Sequence, residues 1–341
     1  MATVMVTGGG GYIGSVLSEQ LVEAGHNVRI LDRFFFGTDL ISDLAARPDI
    51  QLVKDDIRYV PAEAFQGVDV VMHLAGISND PASDLDPAIT NDINLDATVR
   101  VAELAKAAGV SRFVFASSCS IYGAGETETL TEESGTAPVS HYARTKIDSE
   151  KALLGLNDES FAVTFLRNAT VYGLSRRMRF DLVINIMTLY AYRNRKIYVT
   201  GGGAQWRPLV HVTDVARAFL AVMDADRELV AGEAFNVGSN EQNYQISSIA
   251  QMVRDVVPNT ALEMVPDDPD KRSYNVSFDK IQNVLGFKVE RSAFEGIVEV
   301  KQALERGRID DVITTKTVSY YKYLLDAERI LKEVTLRGAI F

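Results

Sequence analysis

Short apolar runs alternate with longer amphipathic segments in the first half of the chain. Runs rich in Val, Ile, Leu and Phe predict strands over residues 3–6, 28–31, 51–54, 68–73, 112–116 and 162–166. Apolar residues spaced three and four apart predict helices over 12–24, 87–108 and 142–156, the first ended by Gly25. Such alternation is typical of parallel strands joined by right-handed crossovers. We therefore expect an α/β fold with an open, doubly wound parallel sheet.

The pattern becomes less regular after residue 173. A helical stretch over 180–193 precedes the glycines at 201–203, another helix follows Thr213, and a short strand over 234–237 precedes further helices. We interpret this half as a smaller, mostly helical lobe that interleaves with the last elements of the sheet. The expected domains are residues 1–173 with about 205–240 for the sheet, and residues 174–204 and 241–341 for the lobe.

Composition narrows the class of protein. The 341 residues are 47% hydrophobic and 24% charged, which is typical of a globular chain and excludes disorder as the main state. The formal net charge of −11 would repel a phosphate backbone, so we expect no nucleic-acid partner. A single cysteine, Cys119, argues against an internal disulfide framework and a cysteine-built metal cluster. With no apolar run long enough for a membrane span and no leader-like opening segment, we expect a cytoplasmic protein without a metal or membrane partner.

A glycine-rich turn joins the first strand to the first helix. Gly8, Gly11 and Gly14 lie three apart, where bare backbone lets a diphosphate approach the N–H groups of a helix N-terminus. The alternative is a flexible turn, but the strand before it and the helix after it favour a dinucleotide site. Asp32 closes the second strand, where a carboxylate accepts hydrogen bonds from ribose hydroxyls and favours NAD over NADP. Arg33 comes next and would weaken that preference.

Small polar side chains end the fifth strand. The run from Ser117 to Ser120, which includes Ser118, lies where doubly wound sheets bind ligands, although a serine-rich turn would look the same. Tyr142 and Lys146 lie four apart and share one face of a helix. A free phenol has a pKa of about 10, and a nearby cation favours the phenolate that could act as a base. The alternative for this pair is an ordinary amphipathic helix surface.

Together these motifs resemble the extended, sugar-nucleotide-modifying branch of the short-chain dehydrogenase/reductase superfamily, over nearly the whole chain. The resemblance implies a Rossmann-type sheet, a smaller substrate-binding lobe, NAD and a nucleotide-diphosphate sugar. It makes Tyr142 the base and acid, has Ser118 share the substrate oxygen, and has Lys146 also hold the nicotinamide ribose. It implies a homodimer formed through helices 87–108 and 142–156.

The resemblance also assigns binding residues. The cofactor set is Gly8, Gly11, Tyr12, Ile13, Gly14, Asp32, Arg33, Asp56, Ile57, Leu74, Ala75, Gly76, Asn94, Ser117, Tyr142, Lys146 and Asn168. The substrate set is Ser78, Ser118, Thr170, Arg179, Asn185, Arg207 and Arg272. Each carries an ordinary alternative: the arginines as solvated surface, Asn94 as a helix-surface amide, Asp56 as a turn cap. His73, which precedes Leu74, is more often a hydrogen-bonded core residue than a catalyst.

The expected reaction depends on the two residues after Ser118. Related 4,6-dehydratases carry an acid pair at these positions, and this chain has Cys119 and Ser120 there. We therefore expect a 4-epimerase that works through a transient 4-keto sugar. A 4-dehydrogenase, or an atypical dehydratase or C5 epimerase with Cys119 as its acid/base, is the alternative, although Cys119 could simply fill space. A non-catalytic dinucleotide-binding sensor is a different class, which the intact Ser118, Tyr142 and Lys146 disfavour.

Overall fold

The computed structural model describes residues 1–266 and 272–340, with residues 124–128 described by their backbone. The strands are β1 Thr3–Thr7, β2 Asn27–Asp32, β3 Ile50–Lys54, β4 Val70–His73, β5 Arg112–Ser118, β6 Ala124–Leu130, β7 Ala162–Asn168, β8 Thr170–Tyr172, β9 Lys196–Thr200, β10 Trp206–His211, β11 Ala234–Val237, β12 Asn243–Gln245, β13 Ala261–Val265 and β14 Ser273–Val276. The α-helices are α1 Tyr12–Glu23, α2 Ser42–Ala45, α3 Asp80–Ser83, α4 Pro87–Asn91, α5 Ala97–Ala107, α6 His141–Leu154, α7 Val183–Asn194, α8 Val212–Asp224, α9 Arg227–Val230, α10 Ile246–Val256, α11 Asp279–Leu285, α12 Ala293–Glu305 and α13 Thr317–Val334.

A parallel sheet with the strand order β11-β7-β5-β4-β1-β2-β3 forms the centre of the molecule. The order reverses between β1 and β4, and this reversal opens a crevice at the carboxyl ends of the strands. The predicted α/β, Rossmann-type doubly wound sheet is confirmed. Strand β11 returns from the second half of the chain to pair with β7, with Ala234 opposite Phe165.

Smaller sheets build the second half. Strands β12, β10 and β8 form one, β13 pairs with β9, and β14 pairs with β6. Helices α7, α10 and α12 pack together around a separate apolar cluster that includes Ile184, Leu209 and Ile297. The domain boundaries drawn from the sequence stay a prediction. In the described part of the chain, no helix is long and apolar enough to span a bilayer.

The sheet is buried on both faces. Leu17 of α1 and Phe219 of α8 belong to the cluster on one face, while Phe65 and Val101 belong to the cluster on the other. Strands covered on both sides read as near-continuous apolar runs, which is why the sequence identified them.

The predicted helix over 87–108 is not continuous. Residues Pro87–Asn91 and Ala97–Ala107 are α-helical, and a π-helical turn at Asp92–Asp96 separates them. Asn94 lies in this turn, 2% exposed, and bonds to the loop after β4. The apolar spacing does not reveal this insertion, because Thr90 is the buried residue of α4, whose apolar Ile89 is 37% exposed.

Candidate active site

A cleft of about 1160 Å³ opens at the carboxyl ends of β1, β4 and β5. Every residue of the sequence-predicted cofactor set lines it except Asn94, and every residue of the substrate set lines it except Asn185. The described residues thus bring Ser118, Tyr142 and Lys146 to the same cleft as the glycine-rich turn. The roles assigned to these residues from the sequence stay predictions.

The glycine-rich turn has room only for bare backbone. Gly8 has φ of 72°, and a Cβ there would lie 2.8 Å from the Ala75 N atom. A Cβ on Gly14 would lie 2.2 Å from the Gly8 carbonyl oxygen. Gly11 is the N-cap residue of α1 and offers no side-chain cap, so the N–H groups of the first turn of the helix are open to an anion. This cradle fits a dinucleotide diphosphate.

Asp32 occupies the predicted ribose position. Its carboxylate accepts hydrogen bonds from the N–H groups of Gly10 at 3.0 Å and Phe34 at 2.7 Å, which fix its orientation. Burial raises the pKa of Asp32, against the effect of those bonds. Arg33 turns away towards Asp56, with Nη1 to Oδ2 at 3.0 Å. The cation expected to weaken a preference for NAD is therefore engaged with another carboxylate.

Tyr142 and Lys146 lie on the buried face of α6, whose first turn is capped by Ser140. Burial lowers the pKa of Lys146 to about 8, and its Nζ donates to the Ala116 carbonyl at 2.8 Å. Burial also raises the pKa of Tyr142 to about 12; the charge of Asp80 adds to this, and a hydrogen bond with Ser118 opposes it.

This arrangement differs from the expectation in one respect. The Lys146 Nζ lies 5.7 Å from the centroid of the Tyr142 ring and is directed to a carbonyl, so the ammonium is near the phenol without bonding to it. The positive charges that lower the pKa of Tyr142 belong to Arg179 and Arg272. The spacing in the sequence correctly predicted that Tyr142 and Lys146 share one helix face. It could not predict that the buried ammonium donates to the Ala116 carbonyl.

Three buried polar atoms at the cleft have no hydrogen-bond partner among the described residues. They are the Asn168 Oδ1, the Ser120 Oγ and the Arg177 Nε, and all three residues line the cleft. A buried polar atom without a partner is costly unless a ligand or water satisfies it. Together with the glycine cradle, these atoms show that the residues present fit a polar ligand such as NAD.

Three sequence-predicted residues lie outside the cleft. Asn94 donates to and accepts from the Ile77 backbone, and so fastens the loop after β4. Asn185, fully buried, bonds to the Gly173 N–H at 3.1 Å and to the Tyr12 hydroxyl at 3.1 Å. Each amide is therefore engaged with protein groups, which corrects the expectation that it faces a ligand.

Cys119 is the third. Its thiol donates to the Arg167 carbonyl at 3.1 Å within the core, and burial raises its pKa. A thiol directed away from the cleft is not suited to proton transfer at a bound sugar, which corrects the acid/base alternative and favours the space-filling one.

His73 is a core residue, as its pattern suggested. Its ring bonds to Thr7 and Thr98 and stacks near Phe113 and Phe115, and burial lowers its pKa to about 3.

The substrate side of the cleft contains paired arginines. Arg179 donates to Asp181 at 2.5 Å and to the Ser78 hydroxyl at 3.2 Å. Arg272 lies 2.6 Å from Asp80. Arg207, 5% exposed, donates to the Trp206 carbonyl at 2.8 Å. An incoming anion would meet guanidinium groups whose positions are already fixed by protein partners.

Sequence reasoning missed three features of the cleft. Asp80 lines the cleft, but the sequence pointed only as far as Ser78 in this segment. Arg177 also lines it, whereas the sequence set contained Arg179. Helix α13 contributes Thr317 and Tyr321 to the wall. Two arginines two positions apart could have drawn attention to Arg177, whereas no signal placed the C-terminal helix at the cleft.

Comparisons with known proteins agree with this geometry. A model of the NAD dependent epimerase/dehydratase family matches residues 4–238. UDP-glucose 4-epimerase of Corynebacterium glutamicum is 27% identical over 313 residues, which are 87% of this chain and 93% of that protein. UDP-glucuronic acid decarboxylase 1 of Xenopus tropicalis is 25% identical over 334 residues, 95% of this chain and 73% of that protein. The structure of MoeE5 in complex with UDP-glucose and NAD has a TM-score of 0.79 at 26% identity, over 90% of this chain and 100% of MoeE5.

The family model spans the glycine-rich turn, Ser118, Tyr142 and Lys146 in one match. The expected family and the expected cofactor are confirmed, while the names of the relatives differ in the reaction that they give. The chain belongs to the NAD-dependent epimerase/dehydratase family, in the extended branch of the short-chain dehydrogenases/reductases, and is an NAD-dependent enzyme.

Proposed function

We propose that this enzyme is a nucleotide-sugar 4-epimerase. The observation that carries the proposal is the composition of the cleft beside the glycine-rich turn: Ser118, Tyr142 and Lys146 are present, and no carboxylate occupies the two positions after Ser118. A hydroxyl, a phenol and an ammonium suffice to oxidise and re-reduce one sugar carbon. Loss of water or exchange at C5 needs a further acid or base.

The chain's own residues handle the proton. Tyr142 takes the proton of the sugar 4-hydroxyl through its phenolic oxygen, and Ser118 hydrogen-bonds to the same sugar oxygen. A bound NAD would supply the acceptor and the donor of the C4 hydride, and its positive ring would favour the phenolate. The 4-keto sugar then rotates so that its other face is presented to the hydride donor. Tyr142 returns the proton to the sugar oxygen as the C–H bond forms on that face. Lys146 keeps its ammonium fixed on the Ala116 carbonyl beside the phenol.

Two features of the cleft support this reaction. Its volume of about 1160 Å³ exceeds the roughly 300–1,000 Å³ of a single small-molecule site, so it can hold a dinucleotide and a second ligand. Arg179, Arg207 and Arg272 line it and suit the diphosphate of a nucleotide sugar, like the UDP-glucose bound to MoeE5.

The test is turnover of a panel of UDP-, dTDP- and GDP-sugars in deuterated water, followed by NMR. We expect a product epimeric at C4 with no deuterium in the sugar. Deuterium at C5, loss of water or accumulation of a keto-sugar would replace the proposal with a C5 epimerase, a dehydratase or a 4-dehydrogenase respectively. Complete absence of turnover together with tight NAD binding would favour the sensor.

Tyr142→Phe tests the role of the phenol. We expect the rate to fall by at least about 100-fold while NAD and nucleotide-sugar binding persist. Tyr122→Phe is the matched control, because its hydroxyl bonds to Asn236 in the core and the residue does not line the cleft. Unchanged turnover in Tyr142→Phe would refute the mechanism.

We further propose that the enzyme acts as a homodimer through the outer faces of α4, α5 and α6. Light scattering at working concentration should give twice the mass of the chain, and a monomer would contradict this assembly.

A further inference from the structure

Arg177 is a buried cation that contacts no carboxylate in the part of the chain that the structure describes. Its side chain is 3% exposed, and Nη2 donates to the Thr317 Oγ1 at 2.9 Å. Its guanidinium carbon lies 3.6 Å from the centroid of the Phe36 ring. Its Nε is buried and has no hydrogen-bond partner among the described residues. Burial lowers the pKa of Arg177 to about 10, a sign of the cost of keeping this charge out of water.

The two carboxylates that interact electrostatically with Arg177 are already engaged. Asp181 is in electrostatic range of Arg177, but it accepts two hydrogen bonds from Arg179, at 2.5 and 3.1 Å, and another from Asn79 at 2.7 Å. Asp32 is also in range, and backbone N–H groups hold its two oxygens. Neither carboxylate forms an ion pair with Arg177 among the described residues, so the guanidinium retains donors for another anion.

The position of Arg177 in the cleft indicates which anion these donors would bind. Arg177 lines the same cleft as the glycine-rich turn, and its electrostatic neighbours are Tyr12, which starts α1, and Asp32, which ends β2. These two residues flank the place where the cradle accepts a diphosphate. A guanidinium fork with a free Nε–H suits two phosphate oxygens.

We propose that Arg177 binds the diphosphate of the dinucleotide cofactor, supplementing the N-terminus of α1. The C-terminal helix α13 positions it through Thr317. Thr317 is 1% exposed, and the next turn of α13 docks on the loop after β2, where the Tyr320 hydroxyl donates to the Phe35 carbonyl at 2.8 Å. The Tyr321 ring lies 6.0 Å from that of Phe36, the ring on which Arg177 stacks. The helix thus holds both the hydrogen-bonding and the stacking partner of the guanidinium.

The experiment measures ligand binding by Arg177→Met and does not depend on turnover. NAD⁺ and ADP are titrated calorimetrically, and adenosine, which lacks the phosphates, by ligand-observed NMR. We expect a loss of about 10- to 100-fold in affinity for NAD⁺ and ADP, with adenosine unchanged. Arg176→Gln is the matched control, because Arg176 pairs with Glu19 and Asp43 outside the cleft and should leave all three affinities as they are.

Two further variants guard against a change in folding. Arg177→Lys keeps the charge and loses the fork, so ADP affinity should lie between those of the wild type and Arg177→Met. Thr317→Val should weaken ADP about 3- to 10-fold through the lost hydrogen bond, and Thr317→Ser should restore it. Unchanged ADP affinity in Arg177→Met and Arg177→Lys, or an equal loss for adenosine and ADP, would overturn the proposal.

Discussion

The Asp80 Oδ2 lies 2.6 Å from the Arg272 Nη1, and this ion pair joins the start of α3 to the segment that leads into β14. The Ser140 hydroxyl, which caps α6, also donates to Asp80. The two charges act in opposite directions on Tyr142: Asp80 raises its pKa and Arg272 lowers it. The pair therefore takes part in setting how readily the phenol ionises.

Asp80→Asn removes the negative charge and keeps the shape of the side chain. Burial and the negative charge of Asp80 both raise the pKa of Tyr142. The pKa should therefore fall when the charge is removed. If Tyr142 acts as the base, the rising limb of kcat/KM against pH moves to lower pH, which a pH–rate profile measures. Asp84→Asn, four residues on and exposed, should keep the wild-type profile. A limb that stays in place or moves to higher pH would contradict this account.

Lys146→Met should separate stability from activity. Burial lowers the pKa of Lys146 from 10.5 to about 8, so holding the ammonium in the folded chain at pH 7 costs stability relative to the unfolded chain, and the hydrogen bond to Ala116 recovers only part of this cost. We expect turnover to fall at least about 100-fold while the free energy of unfolding rises by about 2 kcal/mol.

Urea denaturation at pH 7 measures that change. Lys151→Met, on the exposed side of the same helix, should change neither quantity appreciably. A Lys146→Met protein less stable than the wild type would show that the ammonium is structurally favourable.

His73 should make the fold sensitive to acid. Its pKa is about 3 when folded and 6.5 in the reference state, so between these values the unfolded chain binds a proton that the folded chain does not. The contribution of His73 to the free energy of unfolding is fully present above pH 6.5. It falls by about 1.4 kcal/mol for each pH unit below that value.

His73→Asn should flatten the dependence of the unfolding free energy on pH between 6.5 and 4 by that amount. His141→Asn replaces a partly exposed imidazole and should retain the wild-type slope. Equal slopes in His73→Asn and the wild type would place the acid sensitivity elsewhere.

The sheet was predictable because its strands are covered on both faces. Strands β1 and β5 are apolar runs with almost no polar residue between the buried side chains, which include Val4, Val6, Phe113 and Phe115. The glycine-rich turn was also predictable from the sequence. A Cβ at Gly14 would collide with the backbone, so only glycine fits at that position.

Contacts between distant segments were not predictable in this way. The pairing of Asp80 with Arg272 joins residues 192 positions apart, and no local pattern encodes it. The π-helical turn that buries Asn94 follows α4, whose buried residue is the polar Thr90, so apolar spacing could not reveal the turn. The sequence placed Cys119 next to Ser118 in the cleft, but Cys119 begins the 3₁₀ turn that follows β5, and its thiol bonds to the Arg167 carbonyl in the core.

The Tyr12 hydroxyl ties the cofactor turn to the second half of the molecule. It donates to the Gly173 carbonyl at 2.7 Å and accepts from Asn185, which in turn donates to the Arg179 carbonyl at 2.9 Å. A shift of the segment that carries Arg179 would therefore disturb the first turn of α1. For the proposed 4-epimerase, this coupling predicts that the sugar turns between the two hydride transfers inside a cleft whose two sides are held together.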